Sequence, residues 1–447
     1  MNADTIAAIA TPPGRGAIAI VRASGPGVRD LASRMVPNVR LHAHRAHHAR
    51  IVDERGDALD DAIAIFAPAP HSYTGEDTLE LHVHGSPGVA REVLRALLAL
   101  GARLADPGEF TRRAFLNGKM DLHAAAAVAD LIDAETRSAA RAALANLGGG
   151  LAARVRELRA EITAIVEECS GAIDFPEEVP EPDRARIAAV LQRVCEALDA
   201  LRRDGEVGRL VREGVTVAIV GPPNAGKSSL LNALLGDERA LVSEIAGTTR
   251  DTIEETISID GVRVRLVDTA GIREHADRLE AAGIERTHRA LASARVALVV
   301  LDGSRDLCAD ARALLAETAG RERVVFFNKG DLGDVGARAA AISGAVCGSV
   351  RDAETLRSLR AAVARIGWGG EVPDLERPHL ASLREFDAVN AALAALEQAR
   401  ATLAGGQPTD LIVGDLQDAF AALGHVSGDI AAEEVVTGVF ARFCIGK

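Results

Sequence analysis

Val215-Thr-Val-Ala-Ile-Val220 runs into Gly221-Pro-Pro-Asn-Ala-Gly226-Lys227-Ser228, and this stretch decides the architecture. The first six residues read as a strand buried on both faces. The loop is bounded by glycines, and Lys227-Ser228 opens a helix. A strand, a glycine-bounded loop and a helix in that order form a phosphate-binding loop. Its backbone N–H groups cradle phosphates and the helix N-terminus adds a favourable dipole. Lys227 is expected to reach the β- and γ-phosphates, and the Ser228 hydroxyl to ligate Mg²⁺.

Working outward, further strands are expected at Val262 to Val267, Val296 to Leu301 and Val324 to Phe327, separated by helical segments. Strands alternating with helices indicate a doubly wound parallel sheet. Asn328-Lys329-Gly330-Asp331 follows the last of them. A carboxylate at Asp331 accepts from both N1–H and the 2-amino group of guanine, whereas adenine lacks that donor pair. Asp268-Thr269-Ala270-Gly271 ends another strand, placing Asp268 to hold Mg²⁺ through water and the Gly271 amide to meet a γ-phosphate. Gly247-Thr248-Thr249-Arg250 offers a further Mg²⁺ hydroxyl, assigned to Thr249. Ile272 stands where many small GTPases carry a water-orienting glutamine. Glu274, Asp277 and Glu280 lie just downstream, and spacing alone does not separate them as acids.

The flanks have other textures. Residues 1–118 mix short β-rich runs (Ala17 to Val21, Ala62 to Phe66, Leu79 to Val83) with turns and a helix near Gly88 to Leu100, the pattern of a small α/β domain. Residues 119–212 are alanine-rich and helical. Leu151, Val155, Leu158, Ile162, Ile165 and Cys169 step by four and three along one seam, with an acidic, proline-containing loop at Glu177 to Asp183 beyond it. Helical texture returns over residues 377–447. One helical domain with an α/β domain inserted at 213–376 accounts for this order, with two independent helical domains as the alternative.

The 447 residues suffice for several domains, and the net charge of −13 makes the chain a poor non-specific binder of nucleic acid. RNA would need a local basic patch or a partner. The five cysteines are scattered, without a CxxC pair, which points away from a disulfide framework or a zinc site. No apolar run spans a bilayer and no basic segment with an apolar stretch opens the chain, as expected of a soluble cytoplasmic protein without a membrane. His42, His44, His47 and His48 match no common metal spacing and are expected on an exposed strand or loop. Of 51 basic residues only Lys119, Lys227, Lys329 and Lys447 are lysine. Such rarity suggests positions where a compact ammonium is needed.

Together with Thr11-Pro-Pro-Gly-Arg-Gly16, Tyr73-Thr-Gly-Glu-Asp77, Pro107-Gly-Glu-Phe110, Phe115-Leu-Asn-Gly-Lys-Met-Asp-Leu122, Ala172-Ile-Asp-Phe-Pro176, Ala246-Gly-Thr-Thr-Arg-Asp251 and Phe443-Cys-Ile-Gly-Lys447, these motifs make the whole chain resemble the tRNA-modification GTPases of the MnmE (TrmE) family. The resemblance implies a multidomain α/β plus all-α protein: an N-terminal folate-binding and dimerising α/β domain, a helical domain, and an inserted P-loop GTPase domain. It implies GTP and Mg²⁺ sites over Asn224, Ala225, Gly226, Lys227, Ser228, Ser229, Ser243, Glu244, Ile245, Ala246, Gly247, Thr248, Thr249, Asp268, Thr269, Ala270, Gly271, Asn328, Lys329, Gly330 and Asp331. Ser343-Gly344-Ala345 is the expected counterpart of the family's Ser-Ala-Lys element. K⁺ would sit on Asn224, Ser243, Ile245 and Thr248, and Glu280 would be the catalytic acid that orients water. Arg22, Glu80, Lys119 and Lys447 would bind a 5,10-methylene- or 5-formyl-tetrahydrofolate.

The implied reaction modifies C5 of the wobble uridine (U34) of certain tRNAs to a (carboxymethyl)aminomethyl group. It runs in a homodimer with an FAD-dependent partner, MnmG (GidA), as a heterotetramer. Cys444 is a candidate nucleophile, but no neighbouring sequence would lower its pKa, and a buried thiol is at least as good a reading. Two other readings are a ribosome-assembly GTPase, which should carry an RNA-binding appendage, and a folate-binding scaffold with a vestigial nucleotide site, against which Lys227, Ser228, Asp268 and Asp331 argue.

Overall fold

The computed structural model describes residues 4–236, 255–259, 262–267, 288–333, 335–339, 342–367, 377–428, 433–441 and 443–447. They fall into two compact units, one of Met1–Ala129, Leu147–Leu191 and Ala388–Lys447, the other of Asp130–Asn146 and Gln192–Asp387. This division falls inside the helix Arg184–Glu213, and so differs from boundaries drawn at 118, 212 and 376 from sequence texture.

The first unit contains β1 (Ile6–Ile9), β2 (Ile18–Ser24), β3 (Ala46–Val52), β4 (Ala58–Ala67), β5 (Thr78–His84) and β6 (Arg103–Leu104), in the order β3-β4-β5-β2-β1-β6. Every pair is antiparallel except β1 with β6. Side chains alternate across a strand. Val21 and Ala23, Leu79, Leu81 and Val83, and Ala62, Ala64 and Phe66 therefore share one face, packed with residues of the helices Val28–Met35 and Pro87–Ala99. The same alternation turns Arg22, Glu80 and His82 to the other face. β1 is covered on both sides: Ala7 joins the first core, while Ile6 and Ala8 join Ala105 and Phe110.

In the helical part of this unit, Gly150–Asp174 packs along Thr409–Ser427. The seam read from sequence, Leu151 through Cys169, is buried at all six positions, as are Ile412, Leu416, Ala419 and Leu423. Each large aliphatic side chain buried this way contributes about 1.5–3 kcal/mol. Glu177 to Asp183 form the largely exposed link to the next helix.

The second unit holds β7 (Val215–Val220), β8 (Glu255–Ile259), β9 (Val262–Val267), β10 (Val296–Asp302), β11 (Arg323–Asn328) and β12 (Val346–Cys347), in the order β12-β11-β10-β7-β9-β8. Val217 and Ile219 face a core shared with Leu230, Leu231 and Leu234 of the helix Lys227–Gly236 and with Leu359 and Val363. Ala218 and Val220 face a second core with Leu314 and Phe327. Burial on both faces explains the apolar run of β7, which only Thr216 interrupts. All pairings are parallel except β8 with β9. The expected all-parallel sheet thus gains an antiparallel edge, where only Ile257 and Ile259 need cover. β7 lies between β9 and β10, where strand order reverses. In open α/β sheets ligands bind in the crevice beyond the carboxyl ends of the strands at such a point.

Candidate phosphate and guanine site, with a second polar site on the N-terminal sheet

The loop after β7 departs from β7 under tight steric control. A Cβ on Gly221 would lie 2.2 Å from the Val300 carbonyl oxygen, so only glycine fits against β10. Asn224 adopts φ 62° and Gly226 φ 99°. This left-handed region suits glycine and tolerates asparagine better than most residues. Lys227 then turns its ammonium back over the loop, donating to the carbonyls of Gly221 (2.7 Å) and Pro222 (2.9 Å). Burial pushes the ammonium below the ordinary lysine value. Among the described residues no carboxylate pairs with it. A half-buried cation served only by carbonyl dipoles is stabilised by an incoming anion, which fits the loop to a phosphate. Ser228 is the second residue of the helix and is exposed.

Asn328, the last residue of β11, is only 2% exposed and ties three segments together. Its Nδ2 donates to the Ala225 carbonyl at 2.9 Å, and its Oδ1 accepts from the Val350 N–H at 3.2 Å. A Cβ on Gly226 would collide with that Nδ2 at 2.1 Å. Lys329, at φ 64°, sends its ammonium to the Asn224 carbonyl (2.6 Å) and to Asp302 Oδ2 (2.7 Å). Asp302 ends β10 directly opposite Asn328 in the register. Burial opposes its ionisation, but hydrogen bonds from Lys329 and Ser304 outweigh that and hold its carboxyl below the usual carboxylate value. Gly330 donates to the Gly348 carbonyl at 2.8 Å, and the Asp331 carboxylate that follows is exposed.

The structure therefore brings together Asn224, Ala225, Gly226, Lys227, Asn328, Lys329 and Gly330. It seats Gly348 to Val350 against them, not Ser343-Gly344-Ala345. The register explains this placement. β12 runs parallel to β11 with Val346 opposite Phe326 and Cys347 opposite Phe327, so residues before 346 lie toward the far end of the sheet. Asp302 was missed by sequence reading, although an acid closing a fully apolar strand implies a partner. Ser243, Glu244, Ile245, Ala246, Gly247, Thr248 and Thr249, together with Asp268, Thr269, Ala270, Gly271, Glu274, Asp277 and Glu280, lie outside the described residues. Among the described residues no group of three His, Cys, Asp or Glu side chains could hold a metal.

On the N-terminal sheet, Arg22 and Glu80 are partners in the β2–β5 register and pair at 2.8 Å. Glu80 also bonds His82 Nε2 at 3.1 Å. Burial raises the Glu80 pKa, yet Arg22 and His82 overcome it and leave the carboxyl below its ordinary value. The Arg22 guanidinium lies 5.8 Å from the Tyr73 ring centre and 5.7 Å from that of Phe110. Tyr73 OH bonds Thr111 at 2.9 Å, and burial pushes its phenol pKa up. Lys119 donates to the Pro70 carbonyl at 3.0 Å, reaching the loop that carries Tyr73. The Phe110 N–H donates to the Lys447 carbonyl at 3.1 Å. Arg22, Glu80, Lys119 and Lys447 thus border one region, to which Tyr73, His82 and Phe110 are added. Cys444 is exposed, so of its two readings the buried thiol does not hold.

No described helix is long and apolar enough to cross a membrane. Residues 5–119 match the model described as the GTP-binding protein TrmE N-terminus, and residues 122–444 that of the MnmE helical domain. The tRNA modification GTPase MnmE of Chloroflexus aurantiacus is 42% identical over 99% of this chain and 100% of its own length. That of Heliobacterium modesticaldum is 42% identical over the full length of both. Among solved structures, Era in complex with MgGDPNP and a segment of 16S ribosomal RNA is 25% identical, over 40% of this chain and 66% of that one. Its TM-score of 0.26 is too low to bear on function. On the two family matches and the end-to-end identity with these relatives, the chain belongs to the MnmE (TrmE) family of tRNA modification GTPases.

Proposed function

We propose that this chain binds GTP with Mg²⁺ at the loop after β7, hydrolyses it, and uses that cycle in modifying C5 of the wobble uridine of certain tRNAs. The observation that carries this is the link from the half-buried Lys227 ammonium, through Asn328 and Lys329, to the exposed carboxylate of Asp331. Lys227 and the loop amides hold the phosphates, and Asp331 reads the two guanine donors. When bound, Mg²⁺ neutralises charge developing on the β- and γ-phosphate oxygens. Ser228 would hold it, with Thr249 and, through water, Asp268. Glu280 would orient water. K⁺ on Asn224, Ser243, Ile245 and Thr248 would supply the positive charge that the transition state needs, as paired G domains close in a homodimer.

The N-terminal site has the chemistry for a reduced folate: a carboxylate for ring donors at Glu80, aromatic faces at Tyr73 and Phe110, and cations at Lys119 and Lys447 for an anionic tail. Glu80→Gln is expected to weaken binding of 5-formyl-tetrahydrofolate at least about tenfold, since a paired acceptor for ring N–H groups is lost. Calorimetric titration checks this, and an unchanged affinity would remove Glu80 from the site. The C5 chemistry itself is assigned to the chain together with an FAD-dependent partner.

Turnover of GTP and ATP, each in K⁺ and in Na⁺, tests the central reading. GTP hydrolysis with potassium dependence is expected. Uptake of ATP as readily as GTP would sink the guanine assignment, and equal rates in Na⁺ would sink the K⁺ site. Asp331→Asn should cost about 3 kcal/mol of GTP affinity, roughly 150-fold, because the amide presents a donor where guanine also donates.

A further inference from the structure

The chain is strongly acidic overall, yet no carboxylate occurs from Leu31 to Val52, a stretch holding four arginines and four histidines. The structure concentrates these at one edge of the N-terminal sheet. β3 is the outermost strand, and the residues before it form a defined turn: Arg45 N–H donates to the His42 carbonyl at 3.2 Å, and His44 sits at φ 57°. His42 N–H donates to His47 Nε2 at 3.0 Å, and His44 N–H to the Phe66 carbonyl at 2.9 Å. Arg40, His42, His44, Arg45 and His48 are all exposed.

Charge on this edge is not cancelled locally. Arg34 and Arg50 have acidic neighbours in Asp30 (3.7 Å) and Asp61 (3.4 Å). Arg40 and Arg45 pair with no carboxylate among the described residues. The part of β4 alongside, Ile63 to Phe66, carries no charge, and the nearby Arg29, 5.1 Å over Phe66, is itself held by Asp77. A fixed turn presenting the unpaired guanidinium groups of Arg40 and Arg45, with exposed imidazoles around them, beside the open N–H groups of an edge strand is suited to a row of phosphates.

We propose that residues 40–48 form a surface that contacts the phosphate backbone of tRNA. This rests on the proposed tRNA substrate, and it supplies the local basic patch that a chain of net charge −13 needs to hold RNA. The competing role for charge on an edge strand is to block pairing with another edge. Guarding an edge does not require the cations of the preceding turn at Arg40 and Arg45.

The test uses the full chain, fluorescently labelled bulk tRNA, and the variant Arg40→Ala/Arg45→Ala. Loss of two phosphate contacts should reduce the fall in affinity between 50 and 200 mM KCl by about tenfold. Arg40→Lys/Arg45→Lys should restore most of it, and GTP turnover should stay unchanged. Equal affinity and equal salt dependence in wild type and variant would overturn the surface. So would an altered oligomeric state of the variant, which assigns the charges to edge protection. Loss of binding to phosphatidylglycerol vesicles with tRNA binding intact would overturn it as well. A wild type that hydrolyses GTP but ignores tRNA refutes the surface and leaves the nucleotide site standing, whereas tRNA binding lost in the variant of a chain without GTP turnover does the reverse.

Discussion

Lys227→Ala is expected to lower GTP affinity by about 100-fold or more while leaving the protein folded. The ammonium is the cation of the phosphate loop, and charge-assisted hydrogen bonds to phosphate are each worth roughly 1.5–3 kcal/mol. Its two present acceptors, the carbonyls of Gly221 and Pro222, are only partly buried and turn to water when it is removed. Unfolding free energy should therefore change by no more than about 1 kcal/mol. Titration with a fluorescent GTP analogue, alongside urea denaturation, separates the two effects. Lys227→Arg should not rescue affinity, because a planar fork cannot occupy the space between the loop carbonyls and a phosphate. Tight GTP binding by either variant would refute the role given to this side chain.

Asn328→Ala is expected to destabilise the second unit by about 2–3 kcal/mol, since it strands a buried backbone carbonyl and a part-buried N–H at once. The Ala225 carbonyl loses its donor and the Val350 N–H loses its acceptor. Asn328→Asp should fare no better, because it sets a carboxylate oxygen against the Ala225 carbonyl. Nucleotide affinity should fall as well, since the left-handed turn at Asn224 and Gly226 is held by this link. Calorimetric unfolding of the full chain should show a lowered transition for the nucleotide-binding unit alone. Wild-type stability with either replacement would mean that the hydrogen bonds contribute nothing net.

The central sheet was the most legible part of the sequence. β7 and β9 begin and end at the residues expected: β7 is a nearly continuous apolar run, and β9 alternates Val and Arg with the period of a strand that has one buried face. The seam on Gly150–Asp174 was equally plain, as a long helix repeats its signal many times. β1, β8 and β12 were not seen: β1 is four residues of mostly alanine and isoleucine, β12 only two, and β8 is a half-covered edge. The histidine-rich segment, expected on an exposed strand or loop, is both: His47 and His48 lie in β3 and His42 and His44 in the turn before it. Asp260-Gly261 between two alternating runs is a hairpin signal for β8 and β9 that went unused.

For the site, Lys227 and Asn328 were legible because loop chemistry restricts them to few residue types. The element facing Asn328 and Gly330 was misplaced because Cys347-Gly348-Ser349 carries none of the expected side chains. Its contribution is the backbone, through the Gly348 carbonyl and the Val350 N–H. Backbone contacts leave little trace in sequence. Asp302 acts at one remove, through Lys329, and becomes visible only when the register of β10 and β11 is known.

The pairing of Gly150–Asp174 with Thr409–Ser427 has a consequence for synthesis on the ribosome. About 230 residues separate the two helices, and at roughly 5–20 residues per second the earlier one waits about ten to fifty seconds for its mate. During that interval the stripe from Leu151 to Cys169 lacks the cover that Thr409–Ser427 gives it, while every strand of the nucleotide-binding sheet has already been made. A nascent chain arrested before residue 409 should therefore engage chaperones through that stripe, and polar replacements of Leu158 and Ile162 should release it.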